Sequence, residues 1–268
     1  MRTFSHDIPL SEQEIRTMAP SVYASKPAAH VSQDYHFVNT GEVLGILNRE
    51  GWEPFSVKQQ KVRSEERKEG TKHMVMLRNS RISVTGMDIG GLLPTFTLVN
   101  SHDWSSRFKV MVGIYRLVCS NGMMVSSGIV QGFNIRHDHI TEDIEVVMAR
   151  FSDSATKILE MAQAWDSIML DEATSFEFAR KAAVIRFGEE SQTLDAQARA
   201  LLYSRRYQDD KPSLWNTFNR IQENSIKGGG KSVGMKRRIR ALSNIDAEVD
   251  VNNNLFNLAA TFDPFRVN

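Results

Sequence analysis

The apolar residues of this chain change their spacing once, near residue 152, and that change limits the folds open to it. Between residues 73 and 151 they fall in seven short runs, HMVMLR, RISVTGM, TFTLVNSH, FKVMVGIYRLVCS, MMVSSGIV, GFNIRHD and IEVVMARF. The runs are rich in Val, Ile, Met and aromatic residues and are broken by turn formers, the pattern of short antiparallel strands. From Ser152 onward Ile158, Leu159, Met161, Ala162, Trp165, Ile168 and Met169 follow a helical stripe instead. No single element satisfies both periods, so the chain must lay down a sheet first and helices afterwards. The expected class is α+β: a mostly antiparallel sheet over residues 70–150, flanked by N-terminal helices and a C-terminal helical region. The matching division is 1–150 and 151–268, as two domains or as one compact domain.

Local signals fill in this outline. Ser11 with Glu14 forms a capping-box pattern for a helix through SEQEIRTM that stops at Pro20. Thr40 is placed to cap a helix with Val43, Leu44, Ile46 and Leu47 on its apolar face and Gly51 at its end. The segment from Lys58 to Lys72, charged in both signs, reads as a solvated loop or a hairpin end. In KVMVGIYRLV both faces carry apolar residues, which predicts a strand covered on both sides. Asn121-Gly122 reads as a hairpin turn, and the runs fit equally well as seven strands or as six with one bent at Gly113. Three further helices are expected: one capped by Thr174 and Glu177 that stops at Gly188, one capped by Thr193, and one capped by Ser213. The last buries Leu214, Trp215, Phe218 and Ile221 and closes at Gly228 to Gly230. The apolar LFNLAATF near the end predicts a tail that docks.

Charge is the most distinctive chemical feature. Arg205 to Arg240 holds ten Lys/Arg against three Asp/Glu, a local net of +7 in a chain of net +1. Such segregation suggests one anion-facing surface, and a nucleic-acid backbone is the commonest large polyanion. Lys227, Lys231, Lys236, Arg237, Arg238 and Arg240 are the candidate phosphate contacts, immediately before or after a glycine run expected to be flexible. Gly230-Lys231-Ser232 copies the end of a phosphate-binding loop, but Ser225 stands where its first glycine belongs, and a helix precedes it where a strand is needed. Trp104, Arg107, Phe108, Lys109, Tyr115 and Arg116 interleave aromatic and basic groups, with Trp104 as base-stacking candidate and Arg107 and Lys109 as phosphate contacts. Tyr203, Arg205, Arg206 and Tyr207 form a second such cluster.

Other chemistries have thinner support. His137 and His139 flank Asp138, and His102-Asp103 would complete a metal-ligand set if the strand ends converged. Whether they converge is open, and turn or surface histidines are the simpler reading, with Asn100 and Asp103 bonding local backbone. Asp138, Glu142 and Asp143 form no distinctive two-metal pattern. The single cysteine, Cys119, excludes an internal disulfide and a Cys-rich zinc site, and reads as a buried reduced thiol. The start MRTFSHDIPL lacks a signal-peptide core and no apolar run reaches about 18 residues, so a cytoplasmic protein without a membrane span is expected.

The run LVNSHDWSSRFKVMVGIYRLVCSNGMMV, Leu98 to Val125, with its NSHD turn and VCSNG hairpin, resembles an uncharacterised phage- and plasmid-encoded family known only as a domain of unknown function. PSLWNTFNRIQENSIKGG, Pro212 to Gly229, is similar to the same family's C-terminal pattern through Trp215, Asn219 and Glu223. The resemblance covers residues 30–245. It implies a mobile-element origin and action in DNA metabolism or host interaction, and it supplies no activity, cofactor or catalytic residue.

The leading expectation is therefore a non-catalytic nucleic-acid-binding protein acting in replication or recombination. Single-stranded DNA is the favoured partner, with duplex DNA or RNA as alternatives. The first rival is a protein that binds an acidic host protein; the second is a metal-dependent nuclease or hydrolase using His102, Asp103, His137 and His139. A homo-oligomer is compatible with an open sheet edge.

Overall fold

In the computed structural model the described residues are 8–32, 35, 37–79, 92–116, 121–125, 133–134 and 156–264. Helices α1 (Glu12–Met18) and α2 (Thr40–Arg49) precede a sheet of β1 (Trp52–Gln59), β2 (His73–Asn79), β3 (Leu92–Asn100), β4 (Lys109–Arg116), β5 (Asn121–Val125) and β6 (Phe133–Asn134). The helical part then supplies α3 over residues 156–167, α4 (Glu172–Phe187), α5 (Leu194–Leu201), α6 (Leu214–Lys227) and α7 (Ile245–Ala260). The protein is α+β, as its apolar spacing requires. Among the described residues, those up to 116 with 122–125, 133–134 and 156 form one compact unit, and 157–264 with 121 form another.

The sheet unit has strand order β1-β2-β3-β4-β5, with β6 pairing the start of β4. The described ladders β1–β2, β2–β3, β3–β4 and β4–β6 are antiparallel. Strand β1 was not anticipated. Pro54 and the charged Glu53 and Lys58 mask its alternation, and the structure accommodates the proline at an edge, beside a register shift between Pro54 and Ser56. Val110 to Ile114 of β4 are buried on both faces, as their composition predicts. Asn121 and Gly122 open β5 and do not form the turn before it. The runs RISVTGM and IEVVMARF, and Cys119, lie outside the described residues.

Ladder register sets Gln59 opposite His73 and His73 opposite Asn100, so three polar residues line up at one end of the sheet. The N-terminal elements close over this row through hydrogen bonds. Asn100 Nδ2 donates to Thr40 Oγ1 at 3.0 Å, and Thr40 Oγ1 lies 2.8 Å from His73 Nε2. His73 Nδ1 lies 2.9 Å from Ser21 Oγ and 3.2 Å from the Thr71 carbonyl. Ser21 Oγ and N–H donate to Gln59 Oε1, and Gln59 Nε2 donates to the Lys68 carbonyl. One consistent direction of donation runs the whole way, from Asn100 through Thr40, His73 and Ser21 to Gln59, which satisfies groups that would otherwise be costly to bury. Thr40 is thus the first residue of α2, and Asn39 caps the helix by accepting from Gly41 and Glu42 N–H. The cap moved because the threonine hydroxyl is committed to His73.

Three of the five helices of the second unit, α4, α6 and α7, begin at a side-chain cap. Ser213 caps α6 by accepting from Asn216 N–H, and Gly228 ends it at φ 68°. For α4 the cap is Asp171, not Thr174: its carboxylate accepts from Thr174 N–H and starts the helix a turn early. Thr193 precedes α5 without a side-chain cap bond. The stripe of α3 stops at Trp165; Met169 is exposed and pairs with Ser213 as an isolated bridge. Trp165 packs against Phe218 and Phe256, and Trp215 stacks on Phe218. Twelve of the fourteen residues of α6 are buried, which makes it the central helix of this unit. The tail docks as α7, burying Leu255, Phe256, Ala259 and Ala260.

Two predictions follow from this packing. Burial lowers His73 to about 3, aided by the His102 charge, and burial lowers His102 to about 4. The unfolded chain therefore takes up protons below the ordinary value of about 6.5 while the folded one does not. The stability these neutral rings confer is complete above that value and is lost as pH falls toward 4, by about 1.4 kcal/mol per pH unit for each ring. Urea unfolding at successive pH values should show this loss, and His73→Gln should roughly halve its slope between pH 6.5 and 5, leaving the His102 contribution. The second prediction concerns glycines. Gly45, in mid-α2, has open space around it, so Gly45→Ala should stabilise by roughly 0.5–1 kcal/mol. A Cβ at Gly230 would overlap the Ala200 carbonyl oxygen, so Gly230→Ala should destabilise by roughly 1–3 kcal/mol in the same assay.

Candidate nucleic-acid interface

The basic segment contains two populations of charge. Arg206 places its guanidinium on Glu223 at 2.7 and 2.9 Å and on Asp209 at 2.8 Å, in a largely buried cluster. Burial alone would raise the Glu223 carboxyl, but the Arg206 hydrogen bonds, with the charges of Lys227 and Arg205, hold it below its ordinary value. Lys227 joins this cluster through Glu223 at 3.3 Å, and Lys211 pairs with Asp166. Arg205 is used internally as well, donating to Asn224 Oδ1 and to the Gly228 carbonyl. These cations hold the fold together.

The second population lies on the loop after α6. Gly229 N–H donates to the Ile239 carbonyl at 2.8 Å, Ile239 N–H to the Gly230 carbonyl at 2.9 Å, and Leu242 N–H to the Ile226 carbonyl at 2.8 Å. Its legs are therefore zipped together, with the Ile239 side chain buried between exposed neighbours. Ser232 Oγ donates to the Ala196 carbonyl of α5, and Arg186 donates to the carbonyls of Ser225 and Arg240. The glycine run was expected to be flexible; it is instead a close-packed joint. A Cβ at Gly228 would strike the backbone of Ile239 to Ala241, and Gly228 and Gly229 have φ of +68° and +91°. From this anchored base Lys231, Lys236, Arg237, Arg238 and Arg240 are exposed. None of the five has a carboxylate partner among the described residues; Arg238 donates only to the Gly229 carbonyl.

The aromatic and basic candidates of the sheet unit sit on another feature, the turn after β3. Each residue of the NSHD run bonds backbone there. Asn100 Nδ2 reaches the Val38 carbonyl, and Ser101 Oγ accepts from Ser106 N–H and donates to its carbonyl. His102 Nε2 donates to the Ser21 carbonyl, and Asp103 Oδ1 accepts from Ser105 N–H. This turn holds Trp104 at φ 67°, an unfavourable conformation for a bulky residue, and leaves it 65% exposed. Tyr35, tethered by its hydroxyl to the Ser101 carbonyl, lies 6.3 Å from the Trp104 ring at a tilt of 34°. Arg107 is exposed and Lys109 half-buried beyond it, while Phe108 is buried in the core.

The structure thus gathers the five loop cations in the helical unit, and Trp104, Arg107 and Lys109 in the sheet unit. Lys227 is set apart by its pairing with Glu223. Tyr203 and Tyr207 are exposed, but the arginines beside them point inward to Asn224, Asp209 and Glu223. His102 is buried against Phe37 and His73 with its Nε2 engaged, and no cluster of three or more His, Cys, Asp or Glu converges among the described residues. His137, His139, Asp138, Glu142 and Asp143 lie outside the described residues. Trp215, Asn219 and Glu223 are buried, with Asn219 bonded to the Trp215 carbonyl. The buried partnership of Ser21, Thr40, Gln59 and His73 carries no local sequence signal, because its members are far apart in the chain.

No helix among the described residues is long and apolar enough to cross a membrane. No solved structure matches the chain. Proteins that do match include two from Escherichia coli (strain K12). The UPF0380 protein YfjQ is 33% identical over 265 residues, 95% of this chain and 92% of that protein. The UPF0380 protein YafZ is 33% identical over 263 residues, 94% of this chain and 91% of that protein. The family described as Domain of unknown function (DUF932) matches residues 27–255, the span that holds both the sheet unit's polar row and the anchored basic loop, and the chain belongs to that family.

Proposed function

We propose that this protein is a non-catalytic nucleic-acid-binding protein that holds single strands, in a replication or recombination setting. The observation that carries the reading is the anchored loop, with its five exposed cations lacking carboxylate partners among the described residues. An ordinary solvated surface mixes charge signs, whereas residues 227–244 contain no acid. Pinning the loop backbone lowers the conformational entropy lost when phosphates are bound. The exposed Trp104 supports single strands over duplex, since an unpaired base can stack on it and a paired one cannot.

Fluorescence anisotropy with labelled single-stranded DNA, duplex DNA and RNA across a salt series tests this. The parent protein should bind the single strand with a steep salt dependence. Replacing Lys236, Arg237, Arg238 and Arg240 by Ala should weaken binding to all strands and reduce the log–log salt slope by about 3. An unchanged slope would remove the loop from the interface, and binding to no nucleic acid at low salt would overturn the reading in favour of an acidic protein partner. A second test uses tryptophan emission. Trp52, Trp165 and Trp215 are at most 1% exposed, so iodide-quenchable emission reports Trp104. Saturating single strands should protect that emission, and Trp104→Ala should weaken single-strand binding by about 1–3 kcal/mol.

A further inference from the structure

The helical unit has a second feature that the loop does not use. Helices α4, α5 and α6 border a cleft of about 780 Å³, whose apolar wall includes Leu170, Leu202 and Pro212. Its volume is in the range of small-molecule sites and far exceeds what an inorganic ion needs. Two arginines line it, Arg199 from α5 and Arg220 from α6. Arg199 lies 4.7 Å above the ring of Phe176, so its planar group is backed by an aromatic face. Arg220 donates Nη2 to Thr217 Oγ1 at 3.1 Å, while its Nε is buried without a hydrogen-bond partner among the described residues. Most of its hydrogen-bonding capacity is therefore uncommitted. Burial disfavours its charge, and the Asp210 and Asp209 carboxylates only partly offset this. Asp209 is itself held by Arg206. The cleft also offers the Glu172 carboxylate at its exposed edge and the Ser175 hydroxyl.

An arginine with open donors favours a compact anion, since its planar fork matches the oxygens of a phosphate. A guanidinium plane stacked on an aromatic ring favours a planar π-system on its other face. The apolar wall favours a body between the two, and a carboxylate at the rim accepts from a sugar hydroxyl or a base amino group. We infer that this cleft is a nucleotide subsite, in which Arg220 receives a phosphate monoester, the Arg199–Phe176 pair stacks the base, and Glu172 accepts from the sugar or base. Helix α5 then has two roles, because Ala196 and Ala200 on it support the basic loop while Arg199 faces the cleft. The phosphate monoester belongs either to a free nucleotide or to the 5′ end of a strand. The second source rests on the nucleic-acid reading above; the first does not.

Isothermal titration of the full chain with a deoxynucleoside 5′-monophosphate, its parent nucleoside and inorganic phosphate is the direct test. The monophosphate should bind saturably at one site, and the nucleoside and phosphate should each bind about tenfold or more weakly. Arg220→Gln should lower monophosphate affinity by about tenfold or more, with circular dichroism and melting temperature as in the parent. Should that variant misfold, Arg199→Gln, at an exposed position, provides the same comparison. The four-residue loop variant should bind the monophosphate as the parent does, which separates failure of this site from failure of the loop. Competition between 5′-phosphorylated and 5′-hydroxyl single strands then identifies the source: an Arg220-dependent preference for the phosphorylated end assigns a strand terminus, and no preference assigns a free nucleotide. Monophosphate binding no tighter than the nucleoside's, or undiminished in folded Arg220→Gln and Arg199→Gln, would overturn the inference.

Discussion

One buried amide organises the surface on which both functional proposals rest. Asn224, on the last turn of α6, donates from Nδ2 to the carbonyls of Leu201 and Tyr203, and its Oδ1 accepts two bonds from Arg205. All of its hydrogen-bonding capacity is used, so the end of α5 is tied to the end of α6. Arg205 passes the constraint on by bonding the Gly228 carbonyl, the joint from which the basic loop departs. A burial site for one polar side chain thereby sets where a run of cations meets solvent. Glu223, one residue earlier, neutralises Arg206 and Lys227 and keeps them out of that surface.

The sheet unit follows a related logic with different chemistry. Antiparallel register lines up Gln59, His73 and Asn100, and the N-terminal helices supply Ser21 and Thr40 to complete a directed chain of hydrogen bonds. The same end of the sheet leads into the turn that holds Trp104 outward in a left-handed backbone conformation. In both units buried polar groups shape exposed chemistry: amide and carboxylate in one, imidazole and hydroxyl in the other. Buried networks of this kind are costly when half-satisfied, and so they specify geometry well.

Much of the fold was legible in the chain because its causes are local. The capping box at Ser11 and Glu14, the Ser213 cap, the stops at Gly51, Gly188 and Gly228, and the two-faced burial of β4 all depend on neighbours within a few residues. Two departures from it share one cause as well. Thr40 has the local pattern of a cap and Gly228 to Gly230 that of a flexible tether, and in each case a distant partner, His73 or the backbone of residues 239–241 and 200, decides the role. Strand β1 escaped notice because Pro54 and a register shift interrupt its alternation. The resemblance to a domain of unknown function is matched by a family span of residues 27–255; in the structure the NSHD residues bond backbone both near and far in the chain, and Trp215, Asn219 and Glu223 lie buried in the helical core.

For the candidate site the division is sharper. By itself the sequence determined the order of sheet and helices and the presence of excess positive charge between residues 205 and 240, because periodicity and net charge are sums over neighbouring residues. Only the tertiary structure decided which of those cations are available. Arg205, Arg206, Lys211 and Lys227 find internal partners, most of them far away in the chain, while Lys231, Lys236, Arg237, Arg238 and Arg240 find no carboxylate among the described residues. The pairing of Phe176 with Arg199 and the half-buried Arg220 likewise exist only once three helices pack. Whether a charge is free or paired depends on which groups folding brings within about 4 Å, and separation along the chain carries no record of that distance.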